Sequence, residues 1–290
     1  MMLDQKIKNR LLAAQKNEIT EHFIYRKLSR SIKDTHNRGV LKQISDDELK
    51  HYHTWQKYTD KDIEPNRFKI WLYYVISKIL GLTFGIKLME RGESKAEANY
   101  EELARSVPQA IEIARDEEKH EKELIRLIDE ERLRYTGDMV RGLNVALIEL
   151  TGVVAGLTFA LQEKTLIIMA GLIAGISMSL SVAGTEYIAT KSASGQRSPM
   201  KAVLYGGLTN LITALFLIFP YFIFANVYLS LGFMILNAVI VIWFFSFYIS
   251  VAREISFRKR FTEMTLIGLG IAALSFVIGL LVRTFLHIEI

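Results

Sequence analysis

The chain has 290 residues, half of them apolar, with 36 Lys and Arg against 31 Asp and Glu, a formal charge of +5 and no cysteine. The lack of cysteine excludes disulfides, thiolate metal sites and cysteine nucleophiles. So small a charge excess, with both signs mixed in the polar half and no basic face interleaved with aromatics, excludes a nucleic-acid partner. The composition is also divided: about 135 N-terminal residues are dense in charge, and the rest is nearly free of it outside short clusters. An all-α chain of two domains is expected, a soluble helical bundle over 1–135 and a membrane domain over 136–290. Met1 to Asn17 is polar, without the apolar core of a signal peptide, which predicts that the bundle stays in the cytoplasm.

In chain order, the first helix is expected from about Asp4 to Ser31, with Leu11, Leu12, Ile19, Phe23 and Leu28 near helical spacing. Asn37 and Gly39 read as the turn, and a second helix follows from about Val40 to Tyr58. After the break at Pro65, a long third helix is expected from Arg67 toward Ala104, opening on the apolar run Trp71 to Val75. Ser106-Val107-Pro108 is the sharpest break, and a fourth helix follows to about Arg134. These form two helical hairpins joined by one longer connection, the order of a four-helix bundle.

Two of these helices carry Glu48-x-x-His51 and Glu117-x-x-His120. Residues three apart share a helical face, so each pair can bind one ion together. A carboxylate can bridge two ions, and imidazole nitrogen suits iron, zinc or nickel. Glu18 and Glu48 are symmetric about a point near Lys33, close to the first hairpin turn. Reflection through the Ser106–Val107 break brings Glu117 and His120 level with the stretch Glu93 to Glu97. The expected ligands are therefore Glu18, Glu48, His51, Glu93, Glu117 and His120, with the second ligand of the third helix open between Glu90 and Glu97. A lone acidic helix is a solvated face; two Glu-x-x-His pairs, each facing a Glu-bearing helix, are the pattern of a di-metal site. His22 and His53 read as flanking groups, His36 as solvated, Tyr25 as a supporting donor or packing residue, and Asp46 and Asp47 as caps or solvated groups.

The second half offers five apolar stretches long enough to cross a bilayer, near Val140–Leu161, Leu166–Thr190, Ala202–Ala225, Val227–Val251 and Thr265–Leu286. Basic residues cluster before the first span, between the second and third (Lys191, Arg197, Lys201) and between the fourth and fifth (Arg253, Arg258, Lys259, Arg260). By the positive-inside rule these loops, and the N-terminus, face the cytoplasm, with the short C-terminus outside. Glu149 lies within the first span and Glu186 near the cytoplasmic end of the second, where ionisable groups are costly and functional; Glu186 can also be solvated or paired with Lys191. Met178 adds a soft donor, so the candidate transport path is Glu149, Met178 and Glu186.

Residues 1–135 resemble the rubrerythrin and ferritin-like superfamily through Asn17-Glu18-Ile19, Glu48-Leu49-Lys50-His51, Gly92-Glu93 and Asp116-Glu117-Glu118-Lys119-His120. Gly142 to Gly152 and Ser181 to Ser192 resemble the vacuolar iron transporter family, and the fusion resembles the membrane-bound ferritin-like iron exporters. The chain departs from the transporter signature at Val145, in the place of a first-span Asp, and at Val182, in the place of a second-span Met. The resemblance implies a ferritin-like bundle with a di-iron site (manganese or zinc as alternatives). It also implies a five-span homodimer in the cell membrane that exports Fe2+ or Mn2+, coupled to protons. A rival expectation is a membrane-anchored di-iron redox enzyme, a ferroxidase or peroxidase; a third is an iron sensor without transport.

Overall fold

In a computed structural model of the chain, residues 4–97, 103–104, 107–126, 134–193 and 197–286 are described. Among them are ten helices and no strand. The chain divides into two compact units, Met1–Glu130 and Glu131–Ile290.

The first unit contains α1 (Gln5–Ser29), α2 (Thr35–Thr59), α3 (Arg67–Leu80), α4 (Leu82–Glu97) and α5 (Ala110–Arg126). α1 packs along α2, α2 on α5, α5 on α4, and α3 on both α1 and α4. Two boundaries differ from the sequence expectation, each for a local reason. Asn37 and Gly39 lie inside α2 rather than in the turn, because the Asp34 carboxylate accepts from the Asn37 N–H at 2.8 Å and caps the helix earlier. The long third helix is two helices, because Gly81 adopts φ 110°, a conformation that L side chains rarely reach. Asn66 caps α3 by accepting from the Lys69 N–H at 3.1 Å.

Apolar side chains in this unit form two clusters, and on each of three helices the metal-type residues fall between them. Along α1, Leu11 belongs to one cluster and Tyr25 and Leu28 to the other, with Glu18 between. Along α2, Ile44 and Trp55 flank Glu48 and His51; along α5, Ile113 and Leu124 flank Glu117 and His120. A polar layer is thus clamped between two apolar layers. Each fully buried large side chain contributes roughly 1.5–3 kcal/mol, which holds the helices in register and offsets the cost of burying charge.

The second unit contains α6 (Thr136–Leu161), α7 (Lys164–Ser192), α8 (Pro199–Ile223), α9 (Val227–Ala252) and α10 (Phe257–Leu286). All five are long and apolar enough to cross a membrane. α6 touches the other four, and the apolar core from Leu143 to Met264 is built around it. Its turn Ala146–Leu150 is π-helical. Gly142 lets α6 meet α8 backbone to backbone: a Cβ there would lie 2.1 Å from the Gly206 carbonyl oxygen. Polar side chains support the same crossing, since Asn210 donates to the Gly142 carbonyl at 2.8 Å and accepts from Ser179 at 2.7 Å. Helix starts follow from the sequence: Glu163 caps α7, Asn226 caps α9, and Pro199 opens α8. Large apolar side chains such as Leu180, Ile188 and Leu266 remain exposed, as on a surface that faces lipid.

Candidate metal centre

Glu18, Glu48, His51 and Glu117, from α1, α2 and α5, each offer a donor atom within 4.8 Å of the others. Among the described residues this is the one group of three or more His, Asp or Glu side chains with metal-binding spacing. His51 Nδ1 lies 3.8 Å from Glu18, 3.4 Å from Glu48 and 3.3 Å from Glu117. His120 Nδ1 lies 3.2 Å from the other oxygen of Glu48 and 3.8 Å from the other oxygen of Glu117. Glu48 and Glu117 therefore each present one oxygen to each imidazole, and the two rings stand 5.9 Å apart. A cation beside His51 would meet Glu18 and both shared carboxylates; one beside His120 would meet the same two carboxylates from the far side.

The groups behind these donors fix their direction. His51 Nε2 pairs with Asp116 at 3.3 Å, and His120 Nε2 pairs with Asp47 at 3.4 Å. Each aspartate immediately precedes the glutamate of its own helix and holds the histidine of the other helix. With Nε2 engaged, both rings turn Nδ1 toward the centre. Trp55 donates to Glu18 from its indole N–H at 2.9 Å. Glu18, Glu48, His51 and His120 are all buried, yet Glu48 Oε2 and the Nδ1 atoms of His51 and His120 make no hydrogen bond. Their neighbours stand at charge-pairing distance without hydrogen-bond alignment. An unsatisfied buried polar atom costs about 1–3 kcal/mol; Glu48 Oε2 and His51 Nδ1 face each other at 3.4 Å, and His120 Nδ1 faces the other oxygen of Glu48 at 3.2 Å, so these atoms could serve as donors to a cation.

Burial, with Glu48 and Glu117 close by, holds the Glu18 carboxyl well above its usual range against the pull of His51. Burial also opposes the charged form of Glu48, but its contacts with His120 and His51 outweigh burial and draw it down to about 2. Burial disfavours charged imidazoles too; Glu117, Glu18 and Glu48 nevertheless raise His51, and Glu117 and Glu48 raise His120 to about 10. The same carboxylates that favour the protonated imidazoles would favour a cation, which would have to displace those protons to bind. A groove lined by Lys50, Thr54, Tyr58, Gln109, Glu112 and Asp116 reaches His51 and gives the centre an approach from solvent.

Of the residues singled out in the sequence, Glu18, Glu48, His51, Glu117 and His120 come together. Glu90, Glu93 and Glu97 belong to α4, and their side chains lie outside the described residues. Tyr25 packs in an apolar cluster, His22 pairs with the Ser45 carbonyl at 2.6 Å, and exposed His53 pairs with Gln56 at 3.1 Å. Asp47, read as a cap or a solvated group, instead orients His120. Asp47, Asp116 and Trp55 are the functional side chains that sequence reasoning missed. The signal for the aspartates was present: Asp47-Glu48-Leu49-Lys50-His51 and Asp116-Glu117-Glu118-Lys119-His120 are one pentapeptide pattern used twice.

The three membrane candidates have separate surroundings. Glu186 is buried and accepts from Arg141 with both oxygens, at 2.6 and 2.8 Å. Asp138, also buried, pairs with Arg141 and Arg197. Lys191 lies over the Tyr187 ring rather than against Glu186. Met178 packs on the apolar core. Glu149 sits in the π-helical turn and is exposed on the surface of the unit, while Val145 is half-buried and Val182 is buried. Comparison with protein-family models, curated proteins and solved structures gave no match to the chain, so its functional reading rests on the side chains themselves.

Proposed function

We propose that this chain is a homodimeric membrane transporter that carries Fe2+ or Mn2+ out of the cytoplasm in exchange for protons, with a cytoplasmic ferritin-like bundle that captures and oxidises or senses the metal. The observation that carries this reading is the set of orphaned buried donors, Glu48 Oε2, His51 Nδ1 and His120 Nδ1, in a chain that also has five helices fit to cross a membrane. The four donors of Glu18, Glu48, His51 and Glu117 would suit one ion, and the reading adds a second beside His120. Glu18 and His51 would hold one position, His120 with a glutamate of α4 (Glu93, with Glu90 or Glu97) the other, and Glu48 and Glu117 both. Carboxylate and imidazole suit iron, manganese or zinc. Iron held there by these residues would supply one-electron redox chemistry.

In the membrane unit, an exposed carboxylate on a span is costly toward lipid. Glu149 therefore supports a homodimer in which a second copy covers this face of α6. There a carboxylate can exchange a proton for a divalent cation. The basic loops support a cytoplasmic bundle in the cell membrane and hence export. One observation favours the second reading, a membrane-anchored di-iron redox enzyme: Glu186 is engaged by Arg141 and Met178 by the apolar core, so neither stands open to an ion.

The deciding experiment uses the full chain in sealed vesicles under a set pH gradient. Transport predicts accumulation of Fe2+ driven by that gradient. No flux, together with turnover of peroxide by the iron-loaded protein, replaces the transporter with the anchored enzyme.

A further inference from the structure

α3 is apolar on both sides. Ile70, Tyr73 and Tyr74 pack inward on the apolar cluster shared with α1 and α2. Facing out are Phe68, Trp71 and Ile79, exposed by 66%, 54% and 64%. Half-buried Leu72 and Val75 fall on the same stripe, because 68, 71, 72, 75 and 79 follow one another at helical spacing. A water-facing helix of a soluble bundle carries charge on that side. Here the charges sit at the edges of the stripe: Arg67, Lys69 and Lys78 are all exposed and all basic.

The two segments that carry the stripe and the groove beside it hold charge of one sign. Residues 65–89 contain Arg67, Lys69, Lys78 and Lys87 and no Asp or Glu; residues 22–33 contain Arg26, Lys27, Arg30 and Lys33 and no Asp or Glu. The two segments meet at a groove lined by Phe23, Arg26, Lys27, Arg30, Ile70 and Tyr74. Lys27 lies 4.3 Å above the Tyr74 ring, and Lys78 donates to the Ser31 carbonyl at 3.1 Å. Arg26 and Arg30 line the groove with no acidic residue in either segment to neutralise them.

An apolar stripe with Trp and Phe, edged by lysine and arginine, is the composition of a helix that lies in a membrane interface. The aromatic rings suit the headgroup level, and basic stems bury their methylenes while their charges reach phosphate. A protein partner for so basic a surface would have to be acidic, and the exposed parts of a second copy's α3 would repel it. A bilayer with anionic headgroups satisfies stripe and rim together, and a chain with five apolar helices always has a bilayer at hand. We propose that the outer face of α3, with the Arg26 and Arg30 groove beside it, is a docking surface for an anionic phospholipid bilayer.

The absence of cysteine allows a clean test on the full chain. A spin label at Leu72→Cys, a second at Ile79→Cys and a control at Lys42→Cys, which is exposed on α2, are compared in vesicles. Ile79 is already exposed, so its replacement leaves the bundle's packing intact. In phosphatidylcholine vesicles containing phosphatidylglycerol, the Leu72 and Ile79 labels should lose contact with a water-soluble nickel chelate and gain contact with oxygen, while the Lys42 label stays open to the chelate. Vesicles of phosphatidylcholine alone, high salt, or Arg26→Gln with Arg30→Gln should weaken that shielding, and Trp71→Ser should release it. Chelate access equal to that of Lys42 in the anionic vesicles overturns the proposal, as does shielding indifferent to both lipid charge and salt. Spin–spin broadening that disappears on dilution with unlabelled chain also overturns it, in favour of a contact between two copies.

Discussion

In the first unit, Glu48 is buried with one oxygen that makes no hydrogen bond, beside two imidazoles whose Nδ1 atoms are equally unsatisfied. In the second, Asp138 and Glu186 are just as buried, but all four of their oxygens accept from Arg141 or Arg197. Burial alone does not separate a binding site from a structural ion pair. A guanidinium completes a carboxylate with a planar, bidentate fork and leaves nothing for a ligand. An imidazole at 3.2–3.4 Å without alignment leaves a donor set that could hold a cation.

The sharpest way to break this contrast is Glu48→Ala. Because Glu48 faces both imidazoles, its loss should abolish binding of at least one ion per chain, as read by metal analysis of the purified protein. Glu186→Gln should leave that stoichiometry unchanged; an unaltered metal count in Glu48→Ala would remove the site. Next in size is Glu149→Gln, which should greatly reduce vesicle flux while the protein still inserts and still binds metal. Wild-type flux in that variant rejects the path through Glu149.

The third test is pH. His120 has a folded pKa of about 10, above its ordinary 6.5, so its contribution to the metal-free protein is fully present below 6.5 and is lost as pH rises through 10. Metal must displace the same proton. Apparent affinity should therefore rise by up to about tenfold per pH unit for each imidazole proton displaced, while metal-free stability falls; calorimetric titration in two buffers would count the protons. Affinity that is flat over this range contradicts the proton-for-metal exchange.

Smaller effects sharpen the contrast from its structural side. Asp138→Ala should destabilise the membrane unit by roughly 1–3 kcal/mol, toward the low end because Arg141 and Arg197 are 57% and 38% exposed, and should lower the thermal midpoint in detergent without changing bundle metal content. Asp47→Asn should weaken metal binding by about tenfold and leave the fold intact, because it loosens the His120 ring and otherwise gives up only a surface pair with exposed Lys50. An unchanged affinity would show that the aspartate does not orient its histidine.

Helix positions, the paired Glu-x-x-His residues and the five apolar helices were legible because each rests on local periodicity. Glu18 needed only the position of one hairpin turn, and an error of a few residues in that turn, at Asn37 and Gly39, did not move it off the right level. What was not legible depends on contacts between distant segments. Arg141 and Glu186 are 45 positions apart, and the nearer Lys191 was the natural partner to consider. Asp47 read as a cap or a solvated acid and Asp116 was given no role of its own, because their targets lie on the opposite helix. Gly81, Gly85 and Gly92 were all legible as places where the third helix could bend, but the apolar run across them gave no sign that Gly81 alone would adopt a positive φ and divide it.

The π-helical turn at Ala146–Leu150 has a consequence for the whole of α6. An α-helix turns about 100° per residue, and a widened turn falls behind that count, as though one residue had been slipped into the winding. Everything from Asp138 to Gly142 is therefore out of phase with everything from Gly152 onward. The phase offset allows one continuous helix to aim Asp138 and Arg141 at the charged cluster and Gly152 and Gly156 at Ser275 of α10. Deleting one residue within Ala146–Leu150 would rewind the helix and swing one end away from its partners, whichever residue were removed. For the packing of α6 the length of this turn is the constraint, apart from the separate role proposed for the Glu149 carboxylate within it.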